Sequence, residues 1–233
     1  MNGNAIGGTL LWSCVTIALY ALSQAAYRRR PHWWLSPLLA TPVLLLAIAV
    51  PLHVSYGTYL RGTHWLLTLL GPATVAFAVP IYEQRALIRR HWPVLLVGVL
   101  AGSTVAVASG WLLSDAFGLS GMLRDSLLPR SMTTPFAMAV SADIGGRPEL
   151  TAVFVVVTGV FGAAAGELIL DCLPLQSALA RGTLFGMGAH GAGVAKAREV
   201  GGEEGAIAGL VMVLVGVFNV LAGALAVRLF GHL

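Results

Sequence analysis

A histidine among glycines is a candidate for chemistry in the apolar part of this sequence. His190 lies in residues 186–193, where Gly188 and Gly191 allow the backbone to bend and to approach neighbouring segments closely. Its imidazole is able to hydrogen-bond a substrate or to take up a proton near neutral pH. The alternative is a neutral histidine whose ring N–H donates to a carbonyl of the next helix. The sequence leaves both interpretations open.

Hydroxyl side chains beside a proline mark a second interruption. Ser131, Thr133 and Thr134 precede Pro135 within an otherwise apolar segment. This pattern predicts a helix start, because hydroxyls cap helix N-termini and proline is tolerated in the first turn. The uncapped N–H groups of such a start carry partial positive charge and suit a carboxylate. A proline kink, with its freed carbonyls satisfied by nearby threonines, is the alternative.

A third interruption and two isolated polar groups complete the candidates. Gly71 and Pro72 are followed by Thr74, and we expect them to break a helix in the same way. Asn219 lies in the last apolar segment, where an amide can hold helices together. Glu167 lies near the end of its segment, from which a carboxylate can reach the membrane surface. No nucleotide fingerprint, metal cluster or nucleophile–base pair is visible, so we expect no cofactor, no metal and no enzymatic activity.

The composition identifies the environment of these groups. Of the 233 residues, 57% are hydrophobic and 10% are charged, whereas a soluble domain carries about 25% charged residues. Such a chain has too few polar residues to form the surface of a soluble globular protein. It is also too apolar to be a disordered chain. We therefore predict an all-α polytopic membrane protein in contact with membrane lipid. The net charge of +4 reflects basic cytoplasmic loops and does not indicate nucleic acid.

Eight apolar segments are candidates to cross the bilayer, which needs about 20 apolar residues per helix. They are residues 5–24, 36–56, 63–82, 93–114, 127–145, 149–170, 176–195 and 205–227. We expect about eight transmembrane helices, with discontinuous helices in repeated units, in a single transmembrane domain over residues 1–233. Its parts are an N-terminal helix pair and three repeated helix pairs, over 5–56, 63–114, 127–170 and 176–227.

Basic residues set the predicted orientation. With eight crossings, nine Lys and Arg residues lie inside and five outside, and both termini lie outside, which follows the positive-inside rule. The inside residues are Arg28, Arg29, Arg30, Arg85, Arg89, Arg90, Arg147, Lys196 and Arg198; the outside residues are Arg61, Arg124, Arg130, Arg181 and Arg228. If 127–145 entered and left on one side, Arg147 would move outside. Lys196 and Arg198 would follow unless 176–195 also failed to cross, so the charge count favours a crossing.

The chain also shows weak internal similarity. A shift of 61 positions places 71–80 over 132–141, and a shift of 56 or 57 places 133–146 over 189–202 and 158–161 over 215–218. Each unit then contains an interrupted apolar segment, a turn and a smooth apolar helix. Two crossings per unit make the repeats parallel. Interrupted helices of this kind carry substrate and ion sites in secondary transporters.

Several of these stretches resemble the LrgB/CidB family of bacterial antiholin-like membrane proteins and their plastid glycolate/glycerate transporter relatives. The resemblance covers about residues 60–230 and rests on LLGPATVAFAVPIY (69–82), SLLPRSMTTPFAM (126–138) and ARGTLFGMGAHGAGVAKA (180–197). It implies a bacterial inner-membrane protein that controls murein hydrolases and cell lysis, or that transports small monocarboxylates. It also implies a small holin-like partner of the LrgA/CidA type. The family's recurring positions correspond to Pro72, Thr74, Ser131, Thr133, Thr134, Pro135 and His190.

Our leading hypothesis is a secondary transporter of a small organic anion such as pyruvate, glycolate or glycerate. Thr133, Thr134 and the helix beginning there would bind the carboxylate, with Thr74 opposite and His190 supplying a hydrogen bond or a proton. The alternative is an antiholin-like regulator that modulates a holin-like partner and transports nothing itself. An intramembrane enzyme would need Glu167 or Asp143 beside His190. Glycine-rich helix faces make a homodimer plausible.

Overall fold

The computed structural model describes residues 3–30 and 32–230, which form helices joined by short turns and contain no strands. The α-helices are α1 (Gly3–Arg29), α2 (Pro37–Ala49), α3 (Tyr56–Thr68), α4 (Leu70–Ala76), α5 (Ala78–Glu83), α6 (Arg85–Ala116), α7 (Met122–Leu127), α8 (Thr134–Asp143), α9 (Pro148–Cys172), α10 (Ala178–Val200) and α11 (Gly202–Phe230). Short 3-10 helices cover Trp33–Leu35 and Leu128–Ser131. The all-helical class is confirmed. Two compact units divide the chain, Met1–Ala76 and Phe77–Leu233.

The N-terminal unit contains α1 to α4. The Ser13 hydroxyl of α1 donates to the carbonyl of Gly62 and accepts from the indole N–H of Trp65 at 2.7 Å, both in α3. Trp12 packs edge-on against Tyr59, with ring centroids 5.8 Å apart. Polar and aromatic contacts thus join two apolar helices, as expected where lipid supplies no hydrophobic driving force between them.

The interruption predicted at residues 71–74 is not confirmed at those residues. Gly71, Pro72 and Thr74 lie inside α4, and the helix is interrupted just before it, at Leu69. α3 ends four residues before Pro72, and α4 ends four residues before Pro80. A proline lacks the N–H that would bond the carbonyl four residues earlier, and its ring crowds that carbonyl. The prolines therefore end the preceding helix and lie within the first turn of the next.

Four segments of the described chain are long and apolar enough to cross a membrane. They are Tyr56–Glu83, Arg85–Ala116, Pro148–Cys172 and Gly202–Leu229, and a shorter apolar helix covers Pro37–Ala49. The predicted count of eight is therefore not confirmed. The four predicted spans without such a counterpart are residues 5–24, 36–56, 127–145 and 176–195, and the last two do not form continuous spanning helices.

Residues 122–145 fold back on themselves and are called the first hairpin. α7 and the 3-10 helix lead inward, Met132 is extended, and α8 leads back. The ends of the hairpin meet, because the Ser126 hydroxyl accepts the backbone N–H of Arg147 at 2.7 Å. The Thr151 hydroxyl donates to the Ser126 carbonyl at 2.9 Å and bonds the Ser141 hydroxyl at 2.7 Å. The predicted crossing over 127–145 is wrong, since the prolines at 129 and 135 prevent one continuous helix.

Residues 178–200, which form α10, are called the second hairpin. The chain reverses at His190, whose φ of 46° and ψ of −124° lie outside the helical region. After the reversal, Gly193 lies directly against the carbonyl of Phe185, where a Cβ would not fit. Close approach of the two arms therefore requires glycine at this position.

Ion pairs tie the open end of the second hairpin. Arg181, at the start of α10, pairs with Glu204 of α11 at 3.0 Å. Gly205 lies against Arg198, near the end of α10. The start of the first arm and the end of the second arm therefore lie near the same turn of α11. The predicted crossing over 176–195 is therefore also wrong, and Arg181 lies on the same side as Arg198 rather than opposite it.

The long helices α9 and α11 show that the two hairpins enter from opposite ends of the C-terminal unit. α9 begins at the open end of the first hairpin and runs to the second hairpin, where Glu167 pairs with Lys196 at 2.9 Å. α11 starts at the open end of the second hairpin and runs alongside α8, with Gly216 against Phe136 and Gly223 against Val140. Each hairpin is thus followed by one long helix, and the two long helices run in opposite directions. The expected parallel orientation of the repeats depended on two crossings per unit and is wrong.

Candidate functional site

The tip of the first hairpin is a helix N-terminus. Thr133 precedes α8 in an extended conformation and is buried, but its side chain makes no capping hydrogen bond. Thr134 and Pro135 form the first turn, where proline does not disturb the helix. The backbone N–H groups of this turn therefore point toward the tip without a side-chain cap, and they favour negative charge there.

The tip of the second hairpin is His190. Its side chain is 3% exposed, and its Nε2 has no hydrogen-bond partner among the described residues. The tip packs on α9 through glycines: a Cβ at Gly162 would strike the carbonyl of Gly188, and a Cβ at Gly159 would lie 3.3 Å from the carbonyl of Ala189. The glycines of α9 therefore admit the reversed chain near the middle of that helix.

The two tips meet inside the C-terminal unit. The His190 imidazole lies beside the backbone of Ser131 and near the Arg130 guanidinium. The outgoing arm of each hairpin starts at its tip, so two helix N-termini face the same region. Ser131, at the tip of the first hairpin, and His190 are therefore brought together by the fold.

Sequence reasoning placed Arg130 among the charges outside the membrane and missed it as a site residue. Its Nη2 donates to the Ser109 hydroxyl of α6 at 3.2 Å, and its Nη1 is buried without a hydrogen-bond partner among the described residues. A Cβ on Gly110 would lie 2.5 Å from this Nη1, so the guanidinium lies directly against α6. The signal that could have found Arg130 is its place between two prolines within an apolar segment.

A small cavity lies beside the tips, between α6, α11 and the hairpins. Its polar lining comes from Ser103, Ser131 and Asn219, and the Asn219 amide donates to the Ser103 hydroxyl at 2.8 Å. The space is about 20 Å³ for the centre of a water-sized sphere, enough for a water molecule. Asn219 was predicted to hold helices together, and its hydrogen bond does join α11 to α6.

A larger apolar cleft opens from the second-hairpin end of the same unit. It has a volume of about 290 Å³ and lies between α6, α10 and α11. Met187 lines both this cleft and the small cavity. Its thioether is packed against Gly102, so the flexible side chain of Met187 separates the cleft from the polar cavity.

The remaining predicted residues lie away from the tips. Glu167 pairs with Lys196, and Asp143 is the last residue of α8, so both carboxylates belong to the open ends of the hairpins. Neither reaches His190, which the enzyme interpretation required. Gly188 and Gly191 flank the reversal with open space where a Cβ would be. Thr74 belongs to the N-terminal unit, where its hydroxyl donates to the Leu70 carbonyl at 2.7 Å, and its role at the site stays a prediction.

Comparison with known proteins establishes the family. The model of the LrgB-like family matches residues 16–229, which is nearly the whole chain. The chain belongs to the LrgB-like family. Both hairpins and the long helices α6, α9 and α11 fall within the matched region, so the site described above is part of the family's domain. With its apolar helices, the chain is a membrane protein of this family.

Several curated relatives cover almost the same length. Antiholin-like protein LrgB of Bacillus subtilis is 32% identical over 218 residues, 93% of this chain and 94% of the relative. Protein YxaC of the same organism is 38% identical over 216 residues, with the same coverage. Holin-like protein CidB of Staphylococcus aureus is 29% identical, covering 95% of this chain and 96% of the relative. No solved structure matches the chain.

Proposed function

We propose that this protein is a secondary transporter of a small organic anion, of the size of pyruvate, glycolate or glycerate. One observation carries the proposal: two helix hairpins enter the C-terminal unit from opposite ends, and their tips meet beside a buried histidine. Irregular backbone inside a membrane protein is tolerated where it is buried in protein or lines a cavity. Half-helix N-termini at such places bind anionic groups of substrates.

Internal symmetry supports the same function. The shift of 56 or 57 residues that aligns 133–146 with 189–202 also aligns the outgoing arms of the two hairpins, and it aligns α9 with α11. We interpret 122–172 and 178–230 as two units of inverted orientation, each a hairpin followed by one crossing helix. Inverted repeats of this kind let a transporter expose one central site to either side in turn.

Each residue of the site has its own role in the proposed transport. The N–H groups at the start of α8, with Thr133, Thr134 and Ser131, bind the carboxylate. His190 supplies a hydrogen bond or a proton from the other hairpin, which gives a route to proton coupling. Thr74 remains a proposed contributor from the N-terminal unit.

Charge distribution supports an orientation in the inner membrane. In the C-terminal unit, Arg85, Arg89, Arg90, Arg181, Lys196 and Arg198 lie toward the second-hairpin end, whereas Arg124, Arg147 and Arg228 lie toward the first-hairpin end. The positive-inside rule therefore favours a cytoplasmic second-hairpin end. We retain the prediction that both termini lie outside.

Uptake by proteoliposomes tests this function. The purified full chain should accumulate at least one radiolabelled acid among pyruvate, glycolate and glycerate, and His190→Ala or Thr134→Val should lower the initial rate at least tenfold. Thr104→Val is the matched control, because Thr104 is exposed on α6 and bonds only its own helix, at the Leu100 carbonyl. Uptake no greater than in empty liposomes for all three acids would contradict the proposal.

A second candidate is regulation of a holin-like partner without transport, favoured by the relatives' printed names, antiholin-like and holin-like. In that case the protein should co-purify with a small LrgA/CidA-type partner. Together they should release an encapsulated dye from liposomes at a rate that does not depend on any added acid. Acid uptake by the chain alone, without dye leakage, favours the transporter instead.

A further inference from the structure

Arg130 has a different environment from the other partly buried cations of the hairpins. Arg124 pairs with Asp125 at 3.1 Å, Arg181 pairs with Glu204, and Lys196 pairs with Glu167. Arg130 forms no ion pair within the described chain, and its polar contact is with the neutral hydroxyl of Ser109. A guanidinium is always charged, so this side chain brings an unbalanced positive charge into an apolar region.

Contacts with α6 fix the position of the Arg130 guanidinium. Nη1 is buried against Gly110, and Nη2 bonds Ser109, so two positions of α6 fix one face of the guanidinium. Nη1 has no acceptor among the described residues. Charged groups at this depth normally find a partner or mark a substrate pathway.

Three further features of the hairpin tips favour an anion. The first turn of α8 presents backbone N–H groups, Thr133 makes no capping hydrogen bond, and His190 has a buried Nε2 without a partner among the described residues. The carboxylates of the first hairpin lie elsewhere, Asp125 paired with Arg124 and Asp143 at the far end of α8. A planar guanidinium binds a carboxylate with two parallel hydrogen bonds, so a carboxylate is the anion that matches Arg130 best.

We infer that Arg130 is the residue that binds the carboxylate of the substrate, and that it makes the site selective for acids with a single carboxylate. The inference rests on the proposed transport function and names its substrate class. One fixed positive charge is neutralised by one carboxylate. A dicarboxylate would leave a second negative charge inside the protein, where no second partly buried arginine or lysine of the described hairpins is free of an ion pair to balance it. This desolvated charge would be unfavourable.

The size of the cavity limits the acid further. The space of about 20 Å³ beside Ser131 has room for about one water molecule, so an acid enters only when a side chain or a hairpin moves. Met187 is the side chain that separates this space from the 290 Å³ cleft. Acids of two or three carbons need the smallest displacement.

Ligand-dependent thermal unfolding of the full chain in lipid nanodiscs tests the inference without requiring transport. Glycolate and pyruvate should raise the Tm of the unmodified protein, and malonate should need at least a tenfold higher concentration. Arg130→Gln should abolish the rise, and Arg130→Lys should weaken binding at least tenfold because the paired hydrogen bonds are lost. Arg124→Gln, the control at the open end of the same hairpin, should keep the affinity and the preference for one carboxylate.

The stability of the ligand-free variant separates binding from a structural role. Removing an unpaired buried charge should leave the Tm of Arg130→Gln equal to or above that of the unmodified protein, whereas loss of a structural contact would lower it.

Gly110→Ala, which crowds Nη1, should weaken glycolate binding with Arg130 still present. The inference is wrong if Arg130→Gln retains glycolate binding. It is also wrong if Arg130→Gln lowers the ligand-free Tm while the acid preference persists. Both outcomes count against it even if the unmodified protein takes up acid. If no acid binds or enters with the unmodified chain, the proposed function fails first.

Discussion

At the scale of single residues, His190 combines a buried imidazole with a backbone conformation that favours glycine. Its φ of 46° lies in a region that residues with a Cβ seldom adopt. Such a conformation costs about 1–3 kcal/mol and persists where the surroundings impose it, commonly at functional sites. A residue chosen only for stability at this reversal would be glycine, like its neighbours Gly188 and Gly191.

Replacement of His190 should therefore separate stability from function. His190→Gly relieves the backbone strain, whereas His190→Ala keeps it, so we expect the glycine variant to be more stable than the alanine variant by about 1 kcal/mol. Both lose the imidazole and should lose acid uptake equally. Thermal unfolding in one detergent measures the first effect, and proteoliposome uptake the second. Equal stability of the two variants would show that the reversal is not strained.

Residue type and neighbourhood predicted part of the site. His190, Thr133 and Ser131 were recognisable because polar groups are rare in this sequence and these stand beside glycine or proline. Arg130 was not recognised, because an arginine in a membrane protein is first counted as a loop charge. Its role depends on Ser109 and Gly110, which are about twenty residues earlier in the chain and become neighbours only through packing.

At the scale of elements, a hairpin and a spanning helix have the same composition. Residues 127–145 and 176–195 are each about as long and apolar as one span, so hydropathy cannot show that the chain turns back halfway. The basic residues do not help either. When both segments are hairpins, Arg147 moves outside and Arg181 moves inside, so nine basic residues still lie inside. The contacts of Ser126 with Arg147 and of Arg181 with Glu204 reveal the difference.

Cysteine labelling tests the two hairpins directly. In a background with Cys14 and Cys172 replaced by serine, we expect Ser120→Cys and Arg147→Cys to react with a membrane-impermeant maleimide from one side of the membrane. These positions flank the first hairpin. Ser177→Cys and Glu199→Cys flank or end the second hairpin and should react together from the opposite side.

Eight crossings give a different labelling pattern. Positions 120 and 147 would then lie on opposite sides, and so would 177 and 199. All four residues are exposed, so access to the reagent is not limited by burial. Labelling of intact cells and of inverted vesicles identifies the side for each position. Opposite labelling within either pair would show that the segment between its two positions crosses the membrane.

At the scale of the C-terminal unit, packing is uneven around the second hairpin. Gly182 and Gly186 lie so close to Ile207 and Ala208 of α11 that no Cβ would fit at either glycine. On its other side the hairpin faces α6 across the cleft of about 290 Å³. Tight packing transmits motion as a rigid body, whereas a cleft allows displacement. The second hairpin is therefore placed to move together with α11 and relative to α6.

Chemical crosslinks should distinguish these two contacts. In the same cysteine-free background, a bifunctional maleimide that joins Gly98→Cys of α6 to Thr183→Cys, both in the cleft lining, should stop acid uptake, because alternating access requires the cleft to change. The control joins Arg181→Cys to Glu204→Cys, which replaces the ion pair between the hairpin and α11 and should leave most uptake intact. Each pair is compared with its uncrosslinked form, so the substitutions themselves cancel. Uptake that survives the first crosslink but not the second would mean that the hairpin moves against α11 instead.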